Sequence, residues 1–316
     1  MSRALRLHFG LLVTGLALIV ALRLIGNDYA WYTGYVILQY VVLAVAWNVL
    51  AGYAGYVNFG TAAFFAAGAY TTIILTKALN LDLLLCVLVA GMVSGGLGLG
   101  MGWLTLRLRG VYFSIATLSL AVVLQTLVVN WHYAGGASGA YTMRPQGYAF
   151  FGNYSEFLFV LMLVMALGGI AVAAWIERSR LGLGLATIRD DERAAAAAGV
   201  PTLRLKLIAT AISGAMMGMA GAPLPYYASY LNPEAAFSLT YTINAMAMVL
   251  IGGMQSWAGP VIGAVLLSVL QQGATVTISS AGNLLIVGGV LILFVTLAPR
   301  GILGLIRARR GKGGGA

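Results

Sequence analysis

The chain reads as a succession of long apolar runs separated by short polar intervals. A helix needs roughly 20 apolar residues to cross the hydrocarbon core of a bilayer. On that rule ten segments qualify, at about 9–26, 35–51, 58–76, 82–106, 111–130, 157–176, 206–230, 238–253, 259–279 and 283–299. The runs are unbroken, which excludes a spanning β-barrel, whose strands alternate apolar and polar over about ten residues. The expected fold is all-α: a polytopic transmembrane helix bundle of about 10 spans (8–10), forming a single domain over residues 1–316. The least regular pair follows residue 238, where "IGGMQSWAGP" (251–260) reads either as a re-entrant break or as a turn between spans.

Composition places this bundle in lipid. Hydrophobic residues make up 61% of the chain and charged ones 8%, with mean hydropathy +0.93. A soluble domain carries about a quarter charged residues, so this is an integral membrane protein. Arg3 and Arg6 precede an apolar stretch as in a signal peptide. No small-residue cleavage site precedes Arg23, so the stretch is taken as the first span.

Charge then sets the orientation. With the N-terminus in the cytoplasm and spans alternating, cytoplasmic segments hold Arg3, Arg6, Arg107, Arg109, Arg178, Arg180, Arg189, Arg193, Arg204 and Lys206. They also hold Arg300, Arg307, Arg309, Arg310 and Lys312. Only Arg23, Lys77 and Arg144 fall outside, and basic residues mark cytoplasmic loops. Both termini are expected in the cytoplasm. The same rule accounts for the net charge of +10 without invoking nucleic acid. Cys86, the single cysteine, lies in an apolar run, and His8 and His132 have no ligand partners at metal spacing. No cofactor, metal or catalytic site is expected.

Acids inside a bilayer mark ion pathways, but Asp28, Asp82, Glu156 and Glu234 fall at predicted span ends or in outer loops. The interior polar groups are the neutral Gln39, Asn48, Gln125, Asn244, Gln271 and Gln272. This argues against a proton-coupled pump. It leaves a pathway for a neutral or zwitterionic solute, or amides that only bond neighbouring helices. Two segments, one in each half, combine glycines, polar residues and interrupted hydrophobicity: residues 47–70 and 250–267. Broken backbone at membrane depth survives only where protein covers it or water fills a cavity, and paired breaks point to a transporter's substrate site. The candidate pathway residues are Asn48, Gly52, Gly55, Asn58, Gly60, Thr61, Gly68 and Tyr70, with Gly252, Gly253, Gly259, Pro260 and Gly263. Close helix packing through small residues is the equal alternative.

The cytoplasmic loop 177–205 contains "RDDERAAAAAG" (189–199), with three of the chain's eight acids in a row. Thr187 is placed to cap a helix of about eleven residues, with Asp190, Asp191 and Glu192 in its first turns, where the dipole favours negative charge. Gly199 and Pro201 would end it. So short a helix is marginal alone in water, so it is expected to dock on a cytoplasmic partner through a smooth alanine face and a charged rim. Arg189, Asp190, Asp191, Glu192, Arg193 and Gly199 are the candidate coupling residues.

Four stretches in order, "GYAGYVNFGTAAFFAAGAY" (52–70), "LRLRGVYFSIATLSLA" (106–121), "SRLGLGLATIRDDERAAAAAGV" (179–200) and "GGMQSWAGPVIGAVLL" (252–267), resemble the M-type membrane subunits of branched-chain amino acid ABC importers, the LivHM family. The resemblance implies a permease in a bacterial inner membrane, paired with a second, H-type permease. It implies two cytoplasmic ATPases and a periplasmic or extracellular solute-binding protein as further partners. ATP hydrolysis would act through a coupling helix in the 177–205 loop, matching the family's Glu-Ala-Ala…Gly motif loosely because Arg193 interrupts it. Thr61 stands where family members often have His after Phe-Gly, which puts the usual substrate in doubt; related permeases move urea, short amides or aromatic acids. No G-x-x-x-x-G-K-[ST] phosphate cradle occurs, so nucleotide would be hydrolysed by partners. A stand-alone transporter or channel for a neutral solute, and a membrane scaffold, are the rival readings.

Overall fold

The computed structural model describes residues 27–143 and 152–277, together with 10, 13–20, 22–23, 288–289, 292 and 301–304. Within them the chain is a helix bundle. In order come α1 (Asp28–Ala54), α2 (Thr61–Leu79), α3 (Leu83–Thr105), α4 (Val111–Val129) and α5 (Tyr154–Arg178). Then follow α6 (Arg180–Asp190), α7 (Glu192–Ala197), α8 (Thr202–Gly221), α9 (Leu224–Ala228), α10 (Pro233–Ala236), α11 (Leu239–Gly252) and α12 (Ala258–Thr277). Eight segments among the described residues are long and apolar enough to cross a membrane: α1 to α5, α8 with α9, α10 with α11, and α12. They match the eight middle spans expected from sequence. Of the first expected span, residues 13–20 are helical; nearly all of the tenth lies outside the described residues.

Helix ends follow local chemistry. Asn27 caps α1 by accepting from the Tyr29 N–H at 3.0 Å, and Gly55, at φ 77°, ends it in the left-handed region that a side chain disfavours. At 27 residues α1 is about 40 Å long at 1.5 Å per residue. It is the central helix, packed by α5, α8, α11 and α12. Of the eight described spans α4 is the least buried; its buried residues are Phe113, Thr117 and Ala121, one narrow stripe at four-residue spacing.

Helices α2, α3 and α8 meet through small residues. A Cβ on Gly98 of α3 would lie 2.8 Å from the Thr210 carbonyl oxygen of α8, and one on Gly214 of α8 would lie 2.9 Å from that of Ser94 on α3. In lipid such close van der Waals packing is a main source of helix association. The opposite end from the 177–205 loop is held by polar clasps. Arg23 pairs with the buried Glu156 at 2.5 Å, Asn153 donates to Asp28 at 2.7 Å, and Lys77 donates to the Tyr133 carbonyl at 3.1 Å. Two of the three basic residues outside the cytoplasmic count, Arg23 and Lys77, are therefore engaged at that end. A two-stranded antiparallel ladder, Ala140 opposite Leu231 and Tyr141 opposite Tyr230, joins two loops there.

Candidate functional site

The 177–205 loop is built differently from the single helix expected. It is two helices, α6 and α7, broken at Asp191, whose backbone is extended at φ −156°, ψ 109°. Asp191 is the cap: its carboxylate accepts from the Arg193 N–H at 2.8 Å and the Ala194 N–H at 3.1 Å. Those two hydrogen bonds hold its carboxyl below the usual carboxylate range. Thr187 does not cap; its hydroxyl turns back to the Gly184 carbonyl at 2.8 Å within α6. A carboxylate on extended backbone reaches the first free N–H groups of α7, and that ends one helix and starts the next. Gly199 adopts φ 84°, so the chain does turn there, before Pro201.

The charged rim is also divided. Asp190, Asp191, Arg193 and the alanines 196–198 are exposed, as is Leu183 on α6. Glu192 instead points inward. Its Oε1 accepts from Lys206 Nζ at 2.6 Å, its Oε2 accepts from the Tyr56 hydroxyl, and Arg109 Nε lies 3.4 Å away. Burial pushes the Glu192 carboxyl up, but the hydrogen bonds from Lys206 and Tyr56 outweigh it and hold it below its ordinary value. Burial and the adjoining carboxylate push the Tyr56 hydroxyl well up. Arg189 also turns in, donating from Nη1 to the Gly52 carbonyl at 3.2 Å, with its stem packed over Gly55. A cavity of about 470 Å³ opens between these groups, lined by Tyr56, Arg109, Ser114, Arg189 and Glu192 among others.

The two interrupted segments lie against each other at the same end. Asn48 Nδ2 donates to the Ser256 carbonyl at 3.4 Å, and a Cβ on Gly52 would collide with Asn48 and the Met254 carbonyl. The 251–260 stretch is a turn between α11 and α12. The α1–α2 break is held by side chains: Trp47 Nε1 donates to the Asn58 carbonyl at 2.9 Å, and Ser114 Oγ to that of Val57 at 2.9 Å. The Phe59 N–H donates to Thr117 Oγ1 at 3.1 Å, and the Ala62 N–H to Thr242 Oγ1 at 3.3 Å. Asn58 Oδ1 accepts from the Gly60 N–H at 2.7 Å, and Gly60 packs near Met101 and Thr117. The Thr61 hydroxyl is buried without a hydrogen-bond partner among the described residues, as is that of Tyr70 further along α2.

The glycines separate by neighbour. Gly68 faces the Gly218 backbone of α8; Gly252, Gly259 and Gly263 face one another's and Met248's backbone where α11 crosses α12. At these four, backbone lies against backbone, the geometry of the packing alternative. Gly253, at φ 111°, ends α11, and Pro260 is buried in the first turn of α12.

Sequence reasoning missed Lys206, Tyr56, Arg109, Thr117 and Thr242 as site residues. One signal was available: Lys206, Thr210 and Ser213 recur at helical spacing on a mostly apolar helix, and all three are buried.

A model of the family described as "Branched-chain amino acid transport system / permease component" matches residues 31–296. The fold is that of a polytopic membrane permease, and the chain belongs to this family. It is 29% identical to the high-affinity branched-chain amino acid transport system permease protein LivM of Salmonella typhimurium, over 85% of this chain and 68% of that protein. It is 28% identical to the LivM of Escherichia coli over the same shares. It is 23% identical to the LivH of Salmonella typhimurium, over 84% of this chain and 91% of that protein. No solved structure matches the chain.

Proposed function

We propose that the chain forms half of the translocation pathway of an ABC importer for branched-chain or related amino acids, in a bacterial inner membrane. Its partners in this reading are a second permease of H type, two cytoplasmic ATPases and an external solute-binding protein. Both termini and the 177–205 loop face the cytoplasm. The ATPases dock on the exposed rim formed by Asp190, Asp191, Arg193 and the outer face of α7 up to Gly199. The observation that carries the reading is the attachment of this loop to the α1–α2 break, through Arg189 on the Gly52 carbonyl and Glu192 on Tyr56. A push on the rim thereby reaches the candidate pathway residues Gly52 and Gly55 directly, and through the same break Asn48, Asn58, Gly60 and Thr61. Thr61, where family members often have His, leaves a variant of the reading in which the solute is urea, a short amide or an aromatic acid.

The test is a mild-detergent pull-down of the tagged protein from its native membrane, followed by reconstitution with whatever co-purifies. Two ATPases and a second permease, with ATP-dependent uptake of labelled leucine competed by isoleucine or valine, are expected. Competition by urea or acetamide alone would move the assignment to those solutes. A folded protein that purifies alone and transports by itself would replace the reading with a stand-alone transporter.

A further inference from the structure

Lys206 is 2% exposed and sits near the start of α8. An ammonium has three N–H donors and no acceptor. All three are used here, each on a different stretch of chain: the Tyr56 hydroxyl at 2.9 Å in the α1–α2 break, the Leu106 carbonyl at 3.0 Å at the end of α3, and Glu192 Oε1 at 2.6 Å at the start of α7. Tyr56 closes the triangle by donating to the other Glu192 oxygen. The ammonium also lies 4.5 Å from the centroid of the Tyr56 ring, in cation–π range.

We propose that Lys206 and Glu192, with Tyr56 between them, form the joint that carries displacement of α7 into the α1–α2 break, making Lys206 a positioning residue for transport. The inference rests on the importer reading above. Covalent continuity does not supply this link, since Glu192 and Tyr56 are 136 positions apart. α7 is only six residues long and cannot hold a position by its own hydrogen bonds. What fixes it to the membrane domain is this pair, the packing of Ala195 into the core and, one helix earlier, the Arg189 contact on α6; of these, only the pair links α7 to the α1–α2 break by hydrogen bonds. Separating the pair strands a charge away from water, which is far costlier than moving it intact. The low-cost motion is therefore a concerted one, in which Glu192, Lys206 and Tyr56 travel together. Four residues after Tyr56 lies Gly60, the cap of α2, so that motion arrives where the pathway helix begins.

A buried ion pair can also do nothing but fix the fold, and replacing one by apolar residues of similar size is often neutral for stability. That difference supplies the test. The wild-type complex and two variants, the paired Glu192→Leu/Lys206→Met and the single Tyr56→Phe, are reconstituted in vesicles with their ATPases and binding protein. Leucine taken up per ATP hydrolysed is measured, alongside subunit stoichiometry. The expected result is normal assembly and sustained ATP hydrolysis, with uptake per ATP reduced about tenfold in the paired variant and severalfold in Tyr56→Phe, the size of a typical coupling between sites. Uptake per ATP within about twofold of wild type in both variants overturns the joint and leaves a structural ion pair. If the paired variant does not assemble, Tyr56→Phe, which keeps the ring and removes only the bridging hydroxyl, decides alone. A wild-type complex with no ATP-dependent uptake sinks the importer reading itself, and that failure is visible before any variant is compared.

Discussion

Replacing Gly68 by alanine sets a methyl group against the backbone of another helix. The added Cβ would lie 2.6 Å from Gly218 C and 2.8 Å from Gly218 Cα, and nearer still to the carbonyl oxygen between α2 and α8. Carbon atoms pack at about 3.5–4.0 Å, so the two helices must part by roughly 1 Å. No flexible side chain is there to give way, because both partners at the contact are backbone. Gly218 in turn presses on Ser94 of α3, so the displacement is shared by three helices. Overpacking of this kind costs about 1–3 kcal/mol. At about 2–4 °C per kcal/mol, a 2 kcal/mol cost lowers the thermal midpoint in detergent by about 4–8 °C. The control is Gly100→Ala on α3, where a Cβ meets nothing within 4 Å. There the same substitution removes a helix-interior glycine, and stability is unchanged or rises by up to about 1 kcal/mol. Both changes add one methyl to a membrane helix, so hydropathy and expression effects cancel. Equal midpoints for the two variants would refute the claim that Gly68 serves backbone contact.

Other outcomes follow from the loop and the break. Asp191→Ala should speed hydrogen exchange at the Arg193 and Ala194 amides while leaving α6 protected; unchanged exchange there would refute its role as the cap. Glu192 titrates below its unfolded value of about 4.3, so its contribution to holding α7 is complete above that pH and is lost as pH falls through the lower, folded value. Exchange in α7, corrected for intrinsic rate, should stay flat from pH 8 to about 5 and rise below the ordinary carboxylate range; a rise near neutrality would contradict the pairing with Lys206. Gly60→Leu must push aside Asn58 and Met101 and should abolish uptake at normal expression; full uptake would remove Gly60 from the pathway.

The spans were legible because length and hydropathy alone decide whether a helix can cross lipid; of the eight middle segments, only the pair after residue 238 was open to a second reading, as a re-entrant break. The loop was located by its charge, but its internal construction was not. Whether Thr187 or Asp191 caps depends on which side chain reaches a free N–H, and three consecutive acids offer several choices. Lys206 was placed with the cytoplasmic charges because the apolar run was taken to begin there. The helix starts at Thr202, one turn earlier, and that turn carries the ammonium inside. The glycines of 47–70 and 250–267 fitted packing and pathway equally from sequence, since a glycine's role is set by the atoms that face it.

Those facing atoms also divide the two breaks mechanically. Where α11 crosses α12, backbone lies on backbone at Gly252, Gly259 and Gly263. Such contacts have no alternative rotamer, and opening them forfeits packing along the whole crossing. The α1–α2 break is held by Trp47, Ser114, Thr117 and Thr242, single hydrogen bonds worth about 0.5–1.5 kcal/mol each net. These can exchange partners one at a time. On this difference the first break is expected to rearrange more readily than the α11–α12 crossing. Hydrogen exchange of the assembled complex, compared between nucleotide-free and ATP-bound states, should change in peptides covering 55–64 and stay constant in those covering 258–266. The converse pattern, with change confined to 258–266, would show that α12 moves and that its glycines are hinges and not packing surfaces.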